Sequence, residues 1–237
     1  MKADAEAIAN ERARIEEVYK RREIEIDKDL YAPWEPATNL MAGERKRIAA
    51  KLLRKIERFP KRSDRCLEIG YGRLGWLADL LSWGLAESDL HGIELDRSRA
   101  CFAQEAFPAA DLRVGDATSV PWKDKSFDFV VASSVFSSIR DKDIREIVAG
   151  EIYRVLSVGG VLIWYDLAIN NPNNPNVRAV NVKELRSLFP GLDISTRRVT
   201  LAPPVARFIA PKSFLMATIL NSVPFLRTHL LGVLVKR

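Results

Sequence analysis

The feature of this sequence that most constrains its fold is a glycine-rich turn between a short apolar segment and a helical one. The segment RCLEIG (residues 65–70) has the character of a strand, and the turn that it opens contains Gly70, Gly72 and Gly75. Glycine permits a tight turn and leaves no Cβ in the way of an approaching ligand. A strand, a turn of the form GxGxxG and a helix are typical of nucleotide-binding α/β folds, NAD and FAD sites among them.

Segments of strand and helix character alternate along the rest of the chain. Strand patterns occur at residues 65–70, 89–96, 112–114, 127–133, 160–166, 193–201 and 229–236. The first five alternate with helical patterns, which predicts crossover connections and a mostly parallel sheet. Their apolar runs are continuous, as in sheets that helices cover on both faces. The last two, with an apolar helix predicted at 212–223 between them, predict an edge hairpin. We therefore expect an α/β Rossmann-like fold with a seven-stranded, mostly parallel sheet.

The first sixty residues contain no strand pattern. Helical spacing of apolar residues extends over residues 3–29 and again over about 43–59, and a loop with two prolines separates the two segments. We expect an N-terminal helical cap at residues 1–60 and a ligand-binding domain at 61–237. Tyr31 and Trp34, in the loop, are candidates for a lid over the ligand.

The composition argues against several classes of protein. Two cysteines without a CxxC pair and two histidines in 237 residues predict neither a metal site nor a disulfide framework. The chain has no apolar run long enough to span a membrane and no signal peptide at its start, so we expect a cytoplasmic enzyme. The formal net charge of +6 suits an anionic partner such as nucleic acid, a phosphorylated glycan lipid or a membrane surface. Because Lys and Arg are spread along the chain, however, a generally solvated basic surface is favoured.

Two acidic residues beyond the glycine turn narrow the choice of ligand. Glu94 ends the second predicted strand, where a carboxylate can accept hydrogen bonds from the hydroxyls of a ribose, an arrangement that NAD enzymes share. Asp116 follows the third strand within Gly115-Asp116-Ala117 and precedes the segments VPW and SFDFVV. With these segments, residues 64–170 resemble the class I S-adenosylmethionine-dependent methyltransferases, whose pattern is GDA…LPF…FD.

The resemblance implies a cofactor, S-adenosylmethionine, and a set of residues that bind it. These residues are Glu68, Gly70, Gly72, Gly75, Glu94, Leu95, Asp116, Ala117 and Ser133. In the family an acid opens the glycine loop, a second holds the ribose and a third contacts the adenine amine, with Leu95 and Ala117 beside the ring. The carboxylate of Glu68 suits the cationic ammonium and sulfonium of this cofactor, whereas it would repel a pyrophosphate.

Residues that would bind or activate the methyl acceptor are predicted after the fifth strand. Asp166 is a candidate general base or, alternatively, a carboxylate that orients a loop. Asn171, Asn174 and Arg178 belong to an Asn- and Pro-rich loop that suits a polyhydroxylated or anionic ligand, and they are candidates for substrate binding. This loop and the proline-containing C-terminal segments resemble bacterial methyltransferases of surface-polysaccharide and glycolipid synthesis. Residues 208–226 are apolar and either pack on the sheet, which is favoured, or form a wall of the substrate pocket, or touch a membrane.

The leading hypothesis is therefore methylation of a hydroxyl of a sugar, glycan or related small metabolite, free or lipid-linked. The enzyme would lie in the cytoplasm or peripherally on the inner face of the membrane. RNA or protein methylation is an alternative, although nucleic acid is disfavoured because no RNA-binding motif is appended. Ser133-Ser134 also replace the (N/D)PP(Y/F) motif of adenine and glutamine N-methyltransferases. A non-catalytic cofactor-binding partner and a nicotinamide oxidoreductase are further alternatives.

Overall fold

The computed structural model describes residues 3–237, apart from the side chain of Lys28, and has the predicted α/β architecture. The sheet comprises β1 (Cys66–Ile69), β2 (Leu90–Glu94), β3 (Asp111–Val114), β4 (Phe127–Ser133), β5 (Leu156–Leu167), β6 (Leu192–Leu201) and β7 (Arg227–Lys236). The helices are α1 (Ala5–Glu25), α2 (Pro36–Lys55), α3 (Leu77–Ser82), α4 (Arg97–Ala106), α5 (Lys142–Val155), α6 (Val182–Leu188), α7 (Pro203–Ile209) and α8 (Phe214–Asn221).

The seven strands form one sheet in the order β3-β2-β1-β4-β5-β7-β6. Strands β1 to β5 pair in parallel, and β7 is antiparallel to both of its neighbours, β5 and β6. The expected seven-stranded, mostly parallel sheet with an antiparallel pair at one edge is therefore confirmed. The strand order reverses beside β1, and the ends of β1 and β4 at this reversal form a crevice in which open α/β sheets bind their ligands.

Helices cover both faces of the sheet, and each face has its own core. On one face α5 and α6 contribute Val148 and Leu185 to a cluster with Leu67 and Trp164 of the sheet. On the other face α2, α3 and α4 pack against alternate residues of the same strands, among them Phe129. This coverage explains why the central strands are almost continuously apolar and buried.

Several helix boundaries differ from the sequence predictions. Helix α2 begins at Pro36, within the predicted loop, because proline is compatible with the first turn of a helix, where no intrahelical N–H bond is needed. Helix α1 ends at Glu25 and leads into a short 3-10 turn. The segment between β6 and β7 holds two helices instead of one: α7 at Pro203–Ile209, which was not predicted, and α8, which the Ser213 side chain caps.

The two N-terminal helices differ in burial. In α2, Leu53 is fully buried in the core that the sheet shares with α3 and α4, whereas none of the residues of α1, all of them described, is buried. The division into a cap at 1–60 and a domain at 61–237 stays a prediction, and its first two residues lie outside the described part of the chain. No helix within residues 3–237 is both long enough and apolar enough to cross a membrane.

A cavity at the carboxyl ends of the strands

A cavity of about 610 Å³ opens at the carboxyl ends of the parallel strands, and α1 and α2 cover it. Most of the residues predicted from sequence to bind the cofactor or the acceptor lie in its wall: Gly70, Gly72, Glu94, Leu95, Asp116, Ala117, Ser133, Asn171 and Asn174. The wall, as far as residues 3–237 form it, does not include Glu68, Gly75, Asp166 or Arg178. The structure thus brings together residues that are separated by about a hundred positions in the chain.

The glycine loop forms the floor of the cavity, and its geometry requires glycine. Gly70 has φ +66°, and a Cβ built on it would lie 2.9 Å from a methyl carbon of Val135. Gly72 has φ +60° and turns its backbone N–H toward the end of β2, where it donates to Glu94 Oε2 at 2.7 Å. A side chain at either position would be strained or would fill space that a ligand needs.

Glu94 is a buried carboxylate at the end of β2. Its Oε2 accepts the bond from Gly72, and its Oε1 accepts one from the backbone N–H of Asp96 at 2.9 Å. A carboxylate has about four acceptor positions, so these two amides orient Glu94 and still leave capacity for two ligand hydroxyls. This is the arrangement that a ribose diol requires.

Asp116 and its neighbours form the wall beyond Glu94. The backbone N–H of Gly115 donates to the Glu94 carbonyl oxygen at 2.9 Å, and Asp116 Oδ1 accepts from the Thr118 N–H at 2.8 Å. A Cβ on Gly115 would lie 2.9 Å from Ile93 Cδ1. The second oxygen of Asp116 accepts no hydrogen bond from residues 3–237, and so it is available to a ligand amine at the cavity.

Glu68 lies beneath the glycine loop, away from the cavity. Both of its carboxylate oxygens accept from the Trp76 N–H, at 3.0 and 2.9 Å, and its side chain occupies the space where a Cβ on Gly75 would project. Burial raises the pKa of Glu68 to about 8, although the Trp76 hydrogen bond and the Arg45 charge oppose the shift. In the described structure Glu68 and Gly75 thus support the conformation of the glycine loop from the side that faces away from the cavity.

The raised pKa of Glu68 predicts a pH-dependent stability. The unfolded carboxyl ionises near pH 4.5 and the folded one near 8, so between these values the folded state retains a proton that the unfolded state has released. Stability should therefore fall as pH rises through this range, by at most about 1.4 kcal/mol per pH unit. We expect Glu68→Gln to flatten the slope, which urea unfolding at several pH values would measure. Equal slopes in both proteins would contradict the assignment.

Four residues that sequence analysis did not single out for the cavity form its wall beyond Ser133: Arg45, Tyr165, Thr200 and His229. The Tyr165 ring is stacked on His229, with centroids 5.0 Å apart and an interplanar angle of 6°. Its hydroxyl lies 2.9 Å from Thr200 Oγ1, and the Arg45 guanidinium lies 5.4 Å from the ring centroid. Their elements, α2, β5, β6 and β7, meet only in the folded chain, so no local pattern identifies the group.

His229 presents a neutral imidazole to this part of the cavity. Its Nδ1 lies 2.9 Å from the Thr228 hydroxyl, and its Nε2 has no hydrogen-bond partner among residues 3–237. Burial, together with the charge of Arg45, lowers the pKa of His229 to about 4. At neutral pH the ring is uncharged and can accept a proton. From the sequence His229 is one of few candidate bases, at the start of the last predicted strand, and its placement relative to the cavity stayed open.

Asp166 is buried behind the wall and holds a loop in place. Its carboxylate accepts from the backbone N–H of Ser137 at 3.1 Å and from that of Leu167 at 2.8 Å. Burial raises its pKa above the ordinary value. Of the two roles considered for Asp166, this position favours orientation of the loop after β4, which itself lines the cavity at Ser137.

The Asn-rich loop reaches the cavity at two of its three predicted positions. Asn171 and Asn174 each use the side-chain oxygen to accept a backbone N–H two residues ahead, at 3.0 and 3.1 Å, and thereby stiffen the loop. Their amide NH₂ groups make no bond within residues 3–237. Arg178 points away from the cavity: its guanidinium bonds the Arg140 carbonyl at 3.3 Å and lies 3.8 Å from Glu184.

Helix α1 lies over the cavity as a lid. Glu11 accepts hydrogen bonds from the Arg14 guanidinium and from the Arg140 N–H, and Arg14 also donates to the Ser138 carbonyl. Burial raises the pKa of Glu11, but these bonds outweigh it, so that the net pKa is lowered. Of the two aromatic residues predicted for a lid, Tyr31 lines the cavity, while the wall formed by residues 3–237 does not include Trp34.

Loss of the Glu11 contacts should loosen this lid. We expect Glu11→Ala to raise the hydrogen-exchange rate of α1 amides by about tenfold, the scale of one charge-assisted hydrogen bond. Glu17→Ala, on the exposed face of the same helix, is the matched control and should leave the rate unchanged. An equal rise of the exchange rate in both variants would mean that the opening of α1 does not depend on its contacts with the loop at residues 138–140.

The central part of the chain is similar to a known protein family. Residues 67–164 match a family model described as a methyltransferase domain. The chain is also 33% identical over 109 residues to a phthiotriol/phenolphthiotriol dimycocerosates methyltransferase of Mycobacterium ulcerans. That match spans 45% of this chain and 39% of the relative's length.

Solved structures show the same fold at low sequence identity. An S-adenosylmethionine-dependent methyltransferase of Thermotoga maritima superposes with a TM-score of 0.63 at 18% identity, over 93% of this chain and 99% of the other. A geranyl diphosphate C-methyltransferase of Streptomyces coelicolor, solved with Mg²⁺, geranyl diphosphate and S-adenosylhomocysteine, gives a TM-score of 0.59 at 12% identity, over 79% and 76% of the two chains. At these identities the likeness concerns the fold.

Proposed function

We propose that this chain, whose residues 67–164 match a methyltransferase domain, is an S-adenosylmethionine-dependent methyltransferase that methylates a hydroxyl of a small acceptor. We propose a sugar, a glycan or a related metabolite, free or lipid-linked, as that acceptor. The observation that carries the proposal is one cavity with two parts. One part has the acids and glycines suited to the cofactor, and the other has a neutral imidazole that makes no hydrogen bond through Nε2 to residues 3–237.

S-adenosylmethionine is the cofactor of this domain, and it supplies a methyl group already activated by a sulfonium. Glu94 would hold the ribose hydroxyls, Asp116 would accept from the adenine amine, and Leu95 and Ala117 would flank the ring. Gly70, Gly72 and Ser133 would border the rest of the molecule. The residues fit the group, because the two backbone amides that fix Glu94 leave acceptor capacity facing the cavity.

His229 would remove the proton from the acceptor hydroxyl. The bound cofactor would supply the activated methyl group, and Nε2 would take the proton that the acceptor oxygen loses on methylation. Tyr165 stacks on the ring and fixes its plane, while Thr228 is placed to bond Nδ1. Asp166, for which the sequence left open a role as base or as a loop-orienting carboxylate, would take the second role and position the loop at Ser137.

The acceptor's class is supported by the loop and by the curated relative. Asn171 and Asn174 line the cavity, and amide donors suit a polyhydroxylated ligand. The name of the Mycobacterium ulcerans relative gives an esterified triol as that protein's substrate. Both agree with a hydroxyl acceptor that carries a lipid or sugar portion. We assign Arg178 to loop structure, because its guanidinium bonds a backbone carbonyl outside the cavity.

The experiment that tests the proposal is transfer of radiolabelled methyl from S-adenosylmethionine to fractions of a cell extract. Fractions of lipid-linked glycan, small metabolites, RNA and protein would be incubated separately with the chain and with the His229→Ala variant. We expect alkali-stable label in the glycan or metabolite fraction, and much less with the variant. Label confined to RNA or protein would contradict the acceptor assignment. Stabilisation by NAD but not by S-adenosylhomocysteine would contradict the cofactor assignment.

A further inference from the structure

Several large apolar side chains are exposed in the segment between β6 and β7. Of the fifteen large hydrophobic residues that are exposed in the described chain, six lie between positions 208 and 225. We call them the apolar patch: Phe208, Phe214, Leu215, Met216, Ile219 and Phe225. Leu215 is 72% exposed and Phe225 is 80% exposed, values that are unusual for such residues in a packed domain.

The apolar patch cannot be the inner face of α8, because another face of that helix is already packed. Ala217 is fully buried against α7 and the end of β6. Asn221 is buried and its Oδ1 accepts from the Leu201 N–H at 2.8 Å, which fixes the rotation of the helix about its axis. The remaining positions therefore point outward, and the sequence FLMATILN gives them no charge.

The last 44 residues of the sequence, which include this segment, hold an excess of basic residues, although Lys236 and Arg237 lie at the opposite end of β7 from the apolar side chains. Residues 194–237 contain seven Lys and Arg and neither Asp nor Glu, whereas residues 1–193 contain 30 basic and 31 acidic residues. The whole positive net charge therefore belongs to the last 44 residues. Basic residues are spread along the chain, as the sequence analysis noted, but acidic residues are missing from its end. Lys212 is exposed between α7 and α8, with its Nζ 3.5 Å from the Phe208 ring centroid.

The apolar patch lies next to the mouth of the cavity. Pro203 and Arg207 of α7 line the cavity, and Phe208 follows directly in the same helix. The Arg207 guanidinium lies 5.2 Å from the ring centroid of Tyr31, which is itself half exposed and part of the cavity wall. One surface thus combines exposed apolar side chains, basic side chains and the entrance to the site.

We propose that this surface docks the protein peripherally on a bilayer that contains anionic lipids. The apolar patch would enter the boundary between headgroups and acyl chains, and Lys212 and its basic neighbours would lie at the level of the phosphates. The charge favours a bilayer over a second copy of this chain, because two copies of the same basic surface would repel each other. Docking in this orientation turns the cavity mouth toward the membrane, where a lipid-borne acceptor resides.

Cosedimentation with vesicles tests this proposal directly. The full chain would be mixed with vesicles of phosphatidylcholine alone and with vesicles of equal parts phosphatidylglycerol and phosphatidylcholine. We expect binding to the anionic vesicles that weakens in high salt. Leu215→Ser with Phe225→Ser should reduce binding at least about tenfold, since both apolar side chains would be lost from the boundary between headgroups and acyl chains. Val158→Ser, at an exposed position on another side of the fold, should leave it unchanged.

The outcomes separate membrane docking from its alternatives and from the proposed function. Absence of binding by the parent chain, or equal loss in the Val158→Ser control, would overturn the docking proposal. Self-association of the parent chain in sedimentation, abolished by the same double substitution, would assign the surface to a second copy and would also overturn it. S-adenosylhomocysteine binding, measured in parallel, should be the same in all these variants. If neither the parent chain nor any variant binds S-adenosylhomocysteine, the proposed function is contradicted. The vesicle result then still decides the docking proposal by itself.

Discussion

Glu94→Ala should weaken S-adenosylhomocysteine binding by about 1–3 kcal/mol, roughly 5- to 150-fold in the dissociation constant. On the proposed function the carboxylate accepts from the ribose hydroxyls at the end of β2, and without it two ligand donors would be desolvated and left unpaired. It also holds the Gly72 N–H at 2.7 Å, so the same change releases the glycine loop. Isothermal titration calorimetry of the two proteins measures the difference.

A nearby carboxylate offers the matched control for this change. Asp96 lies two positions further on and caps α4 by accepting from the Arg99 N–H at 3.0 Å. Because asparagine is an equally good N-cap residue, Asp96→Asn should preserve both the helix and the affinity. If Glu94→Ala binds S-adenosylhomocysteine as tightly as the parent chain does, Glu94 is not the ribose ligand and the orientation of the cofactor proposed for this cavity is wrong.

His229→Ala should lower kcat by about 10²- to 10⁴-fold while leaving S-adenosylhomocysteine binding unchanged. Proton removal from a hydroxyl is costly, and His229 lines the cavity with a neutral imidazole whose Nε2 makes no hydrogen bond to the described residues. The chain's other histidine provides the control: His91 is buried at the opposite end of the sheet, beside Arg65. His91→Gln should change stability but not the turnover of folded protein. Unaltered kcat in His229→Ala would place the base elsewhere.

The pKa of His229 gives this assignment a second, independent test. Because its pKa is lowered to about 4, the ring stays neutral and able to accept a proton well below pH 6.5. The acidic limb of the pH profile of kcat/KM should therefore fall near pH 4 to 5, and activity should be constant from there to neutral pH. An acidic limb near pH 6.5 would indicate an ordinary, solvent-exposed histidine and would contradict the buried position of this one.

The sequence by itself determined the α/β fold and the acids at two strand ends. The alternation of apolar strands and helices specifies parallel crossovers, and parallel strands place all their carboxyl ends at one edge of the sheet. Any polar residue that directly follows such a strand therefore lies near the same crevice. For this reason Glu94 and Asp116 could be assigned to the cavity wall from the sequence, together with the glycine turn that follows β1 in the chain.

Only the tertiary structure decided which way the other acids point and which residues surround the acceptor. Glu68 and Asp166 occupy similar places at the ends of their strands, yet both are turned toward backbone amides behind the wall. The direction of each carboxylate depends on the side of the strand end at which the packed loop leaves space and places backbone N–H donors. Likewise Arg45 and Tyr165 meet His229 because α2, β5 and β7 pack together, and local sequence pattern carries no information about contacts between residues so far apart.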